Sequence, residues 1–163
     1  MSRRVLLTIL SAAALALTAQ SASADPLLTK AQIAKAADKI GACLDKQGGT
    51  NNPKPASCQG LIKGPCDDAI KAGGEAAHAT CSDNETAAWD VLLNRRWADL
   101  SASMEPEKFI ALKSVQKLWL SYRDAKCAFL AKDDESMMGY MAAADCRLDE
   151  TARRTLELRD LGG

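Results

Sequence analysis

From Phe109 to Leu130 the chain keeps one pattern that few architectures can accommodate. Phe109, Leu112, Gln116, Trp119, Arg123, Cys127 and Leu130 follow one another at steps of three or four residues, the spacing of one face of an α-helix. Most of that face is apolar, so it requires partner helices to cover it. Gln116 and Arg123 interrupt it, and polar groups on a buried face are costly unless each finds a partner. The central stretch 112–127 therefore predicts a helical bundle and, within it, a polar partner for both residues.

The N-terminus bounds the chain that can fold around this helix. Arg3 and Arg4 precede an apolar run from Val5 to Ala19, and Ala22-Ser23-Ala24 forms a small-x-small cleavage site. This is the form of a secretory signal peptide, too short for a membrane span. Cleavage after Ala24 leaves 139 of the 163 residues, enough for one domain, in the periplasm or secreted. No second hydrophobic stretch predicts a membrane span. Without Arg3 and Arg4 there are 19 basic against 21 acidic residues, a net charge of −2, which gives no electrostatic footprint for nucleic acid.

Cys43, Cys58, Cys66, Cys81, Cys127 and Cys146 all follow the signal segment. An even number in an exported chain points to a disulfide framework. Six cysteines allow 15 pairings, and the sequence alone does not choose among them. Neighbour pairing (Cys43–Cys58, Cys66–Cys81, Cys127–Cys146) is the working expectation, since each bridge then closes a local loop. No CxxC pair is present and His78 is the only histidine, so metal-ligand spacing is absent and no metal or other cofactor is expected.

Taken in order, Thr29–Gln47 reads as a helix with Thr29 as N-cap, closed by the turn formers of Gly48–Pro55. Cys58–Thr80 is broken by Gly60, Gly64, Gly73 and Gly74, with a short helical piece after Pro65. Ser82-Asp83-Asn84-Glu85 has the form of a capping box opening a second long helix, whose stripe is Trp89, Leu93, Trp97, Leu100 and Met104. Pro106 suits the first turn of the third helix, which runs to about Ala131. After the charged turn Lys132–Ser136, a last helix includes Met141, Leu148, Ala152 and Leu156, extends back to Met137 or Met138, and has Gly139 as an irregularity near its start. No segment alternates with period two. The fold class is all-α: a disulfide-stapled antiparallel helical bundle with an irregular N-terminal subregion. The expected partition is a signal peptide at 1–24, a subregion at 25–80 and a three-helix core at 81–163.

The second helix offers Asp90 and Asn94, one turn apart, as partners for Gln116 and Arg123 across an antiparallel pair. A carboxylate suits the planar fork of arginine. The expectation is a polar thread of Asp90, Asn94, Gln116 and Arg123, with Asp124 as a competing partner for Arg123.

These residues also form a recognisable set. Trp89-Asp90-Val91-Leu92-Leu93-Asn94, Leu112…Gln116…Trp119…Tyr122-Arg123-Asp124…Cys127, and Cys146 followed by Thr151 and Arg154 occur in that order. Together they resemble the three motif helices of the LprI-like lysozyme-inhibitor family, over about Cys58 to Leu158. Trp97 stands where the family usually has tyrosine. The resemblance implies an exported, helical, disulfide-containing protein of the bacterial envelope whose partner is lysozyme.

Three function classes follow. As a lysozyme inhibitor, the chain would meet a cationic target through acidic side chains. Asp133, Asp134 and Glu135 are the binding candidates, with Asp67-Asp68 as a second acidic pair. The alternative is a structural or interaction module with a different envelope partner, marked by an exposed apolar patch. An enzyme is not expected: no catalytic residues emerge, and His78 reads as a solvated loop histidine.

Overall fold

The computed structural model describes residues 27–47, 55–70, 74–133 and 136–162; the signal segment Met1–Ala24 lies outside them. Five α-helices occupy the described residues: α1 (Lys30–Lys46), α2 (Lys63–Ile70), α3 (Gly74–Ser103), α4 (Pro106–Asp133) and α5 (Met137–Asp160). No strand occurs among the described residues, and the fold is all-α with disulfide staples.

α1 starts as its sequence requires. The Thr29 hydroxyl accepts from the Gln32 amide at 3.4 Å, and the Gln32 side chain accepts from the Thr29 amide at 2.9 Å. This reciprocal capping satisfies two donors that a helix start otherwise leaves open. Ala36, Ala37, Ile40 and Leu44 form its buried face.

The capping box read at Ser82–Glu85 is not a helix start. α3 begins more than two turns earlier, at Gly74, and runs unbroken to Ser103. Ser82 and Glu85 are both buried in its interior. Their polar groups serve contacts to other segments, a use that the local pattern of residue types cannot distinguish from capping.

α3 and α5 form the central pair and run in the same sense. Arg147 pairs with Asp83 at 2.9 Å, and further along the Thr155 hydroxyl donates to the Trp89 carbonyl at 3.3 Å. α4 runs back along α5, with Cys127 bonded to Cys146 near one end and Gln116 bonded to Arg154 further on. One apolar cluster joins Ile40 and Leu44 of α1 to Trp89 of α3 and Leu148 and Ala152 of α5. A second joins Leu93 and Leu100 of α3, Phe109 and Leu112 of α4, and Leu158 of α5. The Trp97 and Phe109 rings close its edge at 4.9 Å, a tilted arrangement favoured by aromatic quadrupoles.

The α4 stripe packs as its spacing requires. Phe109, Leu112 and Cys127 are buried, Gln116, Trp119, Arg123 and Leu130 are half-buried, and most of the rest of the helix is exposed. The centre of the fold, however, is α5. It is buried through Ala143, Ala144, Thr151, Ala152 and Thr155 as much as through Leu148 and Leu158. Small side chains let a neighbouring helix approach closely without supplying an apolar stripe. α5 does include Met137 and Met138, both exposed, whereas Gly139 is no irregularity but a buried position within a continuous helix.

All three neighbour pairs of cysteines are bonded. Cys43–Cys58 ties α1 to the turn that follows it, Cys66–Cys81 ties α2 to α3, and Cys127–Cys146 ties α4 to α5.

Candidate functional site

The motif residues fall into three places. Trp89 and Leu93 are core: Trp89 is fully buried, and its indole N–H donates to Glu85 Oε1 at 3.2 Å. Asp90 and Asn94 face solvent, and Asn94 Nδ2 donates to Asp90 Oδ2 at 3.0 Å within the same helix. The third group gathers where α4 meets α5.

There the expected polar thread is replaced by another. Gln116 Oε1 accepts from Arg154 Nε at 2.8 Å. Arg123 turns to its neighbour Asp124, donating from Nε at 2.9 Å and from Nη2 at 2.8 Å to one carboxylate oxygen. Trp119 lies between the two arginines in contact terms: the Arg123 guanidinium is 5.0 Å from its ring and that of Arg154 is 5.9 Å, both within cation–π range. Arg154 also pairs with Glu157 at 2.9 Å. Asp90 and Asn94 take no part, because an i,i+4 partner on their own helix orders fewer groups than a cross-helix contact. Gln116 therefore takes its polar partner from α5, and Arg123 takes its own from within α4.

Tyr122 sits on the outer flank of this group, 55% exposed, with Lys126 Nζ 5.7 Å from its ring. Lys126 also bonds the buried carboxylate of Glu150 at 2.6 Å, and Arg153 reaches the same oxygen at 3.1 Å. The hydrogen bond to Glu150 holds the Lys126 pKa above its ordinary value.

Glu85 is the buried group whose role the sequence concealed. Its carboxylate accepts from the Gly60 amide at 2.6 Å, the Ile62 amide at 3.0 Å and the Lys63 amide at 2.7 Å, besides the Trp89 indole. It thus anchors the turn at Gly60, where φ is +89°, and the Ile62 and Lys63 amides at which α2 begins. Amides at a helix N-terminus are natural partners for an anion.

His78 is not a loop residue. It lies in α3 with Nδ1 2.8 Å from Asp67 Oδ1, and Lys63 Nζ reaches Asp67 Oδ2 at 2.9 Å. Ser82 directs its hydroxyl to Asp145 and to the His78 carbonyl, so serine and imidazole are not arranged as nucleophile and base. Burial pushes the Asp67 pKa up, but the hydrogen bonds from Lys63 and His78 outweigh it and hold the carboxyl below its ordinary value. A lowered folded pKa means that this stabilisation is complete above the unfolded value of about 3.9 and is lost as pH falls through the folded one. In acid melts from about pH 5 to pH 2, Asp67→Asn is therefore expected to lose less stability than the parent chain. Parallel curves for the two proteins would show that Asp67 contributes nothing.

Of the acidic candidates, Asp67 is thus committed internally, while Asp68 is exposed. Asp133 is the last residue of α4; its side chain, like Asp134 and Glu135 altogether, lies outside the described residues. A groove of about 480 Å³ opens between α1 and α3, lined by Asp38, Asp45, Leu92, Arg95, Arg96 and Asp99 among others. Its charges are mostly paired with each other, Arg95 with Asp38 at 2.8 Å and Arg96 with Asp99 at 3.4 Å. Among the described residues no group of three or more histidines, cysteines or acids is placed to hold a metal ion, and no helix is long and apolar enough to cross a membrane.

Comparison with curated proteins and with solved structures yields no match. The family model described as "Lysozyme inhibitor LprI" matches residues 66–158, which include the Trp89, Trp119 and Arg154 helices and two of the three disulfides. That match spans more than half of the 163 residues, and the chain belongs to the LprI lysozyme-inhibitor family.

Proposed function

We propose that this chain is an exported protein of the cell envelope that binds lysozyme and inhibits it. The observation that carries the reading is the family match over residues 66–158. Three disulfides support folding in an oxidising compartment, and the leader read at Met1–Ala24 supplies the export route. Inhibition of this kind is stoichiometric binding and needs no catalytic group. The acidic run Asp133-Asp134-Glu135, which begins at the last residue of α4, is the proposed contact with a cationic lysozyme, because opposite charge accelerates encounter and fixes orientation. Asp68 is the second acidic contact, being exposed where Asp67 is engaged.

The test is lysis of peptidoglycan-rich cells by c-type lysozyme while the oxidised exported chain is titrated in, with a reduced and alkylated sample beside it. Dose-dependent protection by the oxidised sample alone is expected. Joint reversal by Asp133→Lys, Asp134→Lys and Glu135→Lys should weaken protection by about tenfold or more. Absence of protection at high molar excess would overturn inhibition of that lysozyme class and direct attention to another envelope partner.

A further inference from the structure

α4 carries a second apolar stripe that its packing leaves uncovered. Ala111, Val115, Leu118, Tyr122, Ala125 and Phe129 follow at alternating steps of four and three, the heptad spacing of a helix–helix seam. All six are exposed, among them Leu118 at 72%, Phe129 at 62%, Tyr122 at 55% and Val115 at 49%. None belongs to the stripe from Phe109 to Leu130 that faces the body. A continuous exposed apolar surface of this extent marks an interaction site.

The order of side-chain sizes identifies the occupant. The stripe is symmetric about position 120, so an antiparallel second α4 sets Ala111 opposite Phe129, Val115 opposite Ala125, and Leu118 opposite Tyr122. Each layer then pairs a larger side chain with a smaller one, as even interdigitation requires. A parallel pair would instead stack phenylalanine on phenylalanine and alanine on alanine, giving alternately overfilled and empty layers. Ser114, Ser121 and Ala128, exposed beside the seam, are small enough to let the backbones approach. We propose that two copies of this chain associate through an antiparallel α4–α4 contact whose two-fold axis passes near residue 120, an isologous interface.

The seam spans about 27 Å of helix. Each copy would bury on the order of 500 Å², placing the total near the lower bound for a specific interface. The dimer should therefore be reversible and concentration-dependent. Lys108 and Lys132, exposed and next in the same stripe, come to face one another at its two ends. Added salt screens that repulsion, so the dimer should tighten with ionic strength, whereas docking onto an anionic surface would weaken. This association stands independently of lysozyme binding.

Sedimentation velocity of the oxidised exported chain over a concentration series at low and high salt tests it. The expected result is a monomer–dimer equilibrium strengthened by salt. Leu118→Asp should raise the dissociation constant at least about tenfold while leaving the thermal melt unchanged at dilutions where the chain is monomeric. A photoreactive benzoyl-phenylalanine in place of Phe129 should cross-link to the partner's peptide Phe109–Lys113, which it cannot reach within its own helix. A monomer at every concentration, a dimer indifferent to Leu118→Asp, or cross-links to another segment would overturn the proposal. So would a monomer that binds phosphatidylglycerol vesicles through this face and releases them in salt.

Discussion

Replacing Glu85 by alanine is expected to lower the folding stability by about 4 kcal/mol. The side chain is fully buried, and its carboxylate is the shared acceptor for the Gly60, Ile62 and Lys63 amides and the Trp89 indole. Among the described residues no lysine or arginine side chain is a partner; the negative charge is compensated by N–H dipoles of the Gly60 turn and of the residues where α2 begins. Removing it strands three backbone donors and one indole, each worth about 1–3 kcal/mol when left dry. Water entering the new space returns part of that sum, which brings the total to about 4 kcal/mol. For a domain of this size the midpoint should fall by about 10 °C. Glu85→Gln keeps the volume and one acceptor but turns an NH₂ group towards other donors, so about half the loss is expected. Urea and thermal denaturation of the oxidised chain measure both values. Amide exchange should accelerate first at Gly60, Ile62 and Lys63, because their anchor is gone while the Cys43–Cys58 and Cys66–Cys81 bridges still hold the segment. A midpoint within about a degree of the parent would show that the network adds nothing to stability.

The same residue explains what could and could not be read in advance. Serine followed three residues later by glutamate has the form of a capping box wherever it occurs, and at Ser82–Glu85 it lies inside α3 with both side chains turned to other segments. By contrast, the face of α4 was legible, because an apolar period of three to four is imposed by helix geometry whatever the neighbours are. The cysteine pairing also matched the expectation of short loops, all three bridges joining residues 15 or 19 apart. The central role of α5 was hidden for a physical reason: Thr151, Ala152, Arg154 and Thr155 are buried without contributing large apolar side chains. The polar thread failed at the choice of partner except at Arg123, whose bond to Asp124 is the competing contact the sequence offered. Arg123 found Asp124 and Asn94 found Asp90 nearby, while Arg154 crossed from α5 to Gln116. Composition carries no information on such competition between near and distant partners. The proposed contact acids were legible only as charge in a turn.

Arg154 offers the second large effect, and the comparison of two replacements decides what the residue is for. Its side chain is 8% exposed, bonded to Gln116 and Glu157 and set against Trp119. Arg154→Ala removes the aliphatic stem and the guanidinium together, opens a cavity beside Trp119 and leaves the Gln116 carbonyl without its donor; about 3 kcal/mol of stability should be lost. Arg154→Met behaves differently. Nη2 of Arg154 is buried with no hydrogen-bond partner among the described residues, so the charge is incompletely compensated where it lies. Methionine keeps most of the stem's packing against Trp119, and half-buried Gln116 and exposed Glu157 can turn to water, so the loss should be about 1 kcal/mol, well under that of alanine. A cycle combining Arg154→Ala with Gln116→Ala should return a coupling of about 1.5–2 kcal/mol, the worth of one charge-assisted hydrogen bond. If Arg154→Met melts close to the parent and still protects cells from lysozyme, the motif arginine acts by filling and aligning the α4–α5 seam. If it melts close to the parent but no longer protects, the guanidinium belongs to the inhibitory surface itself, and the Trp119–Arg123 flank next to it becomes the place to map that surface.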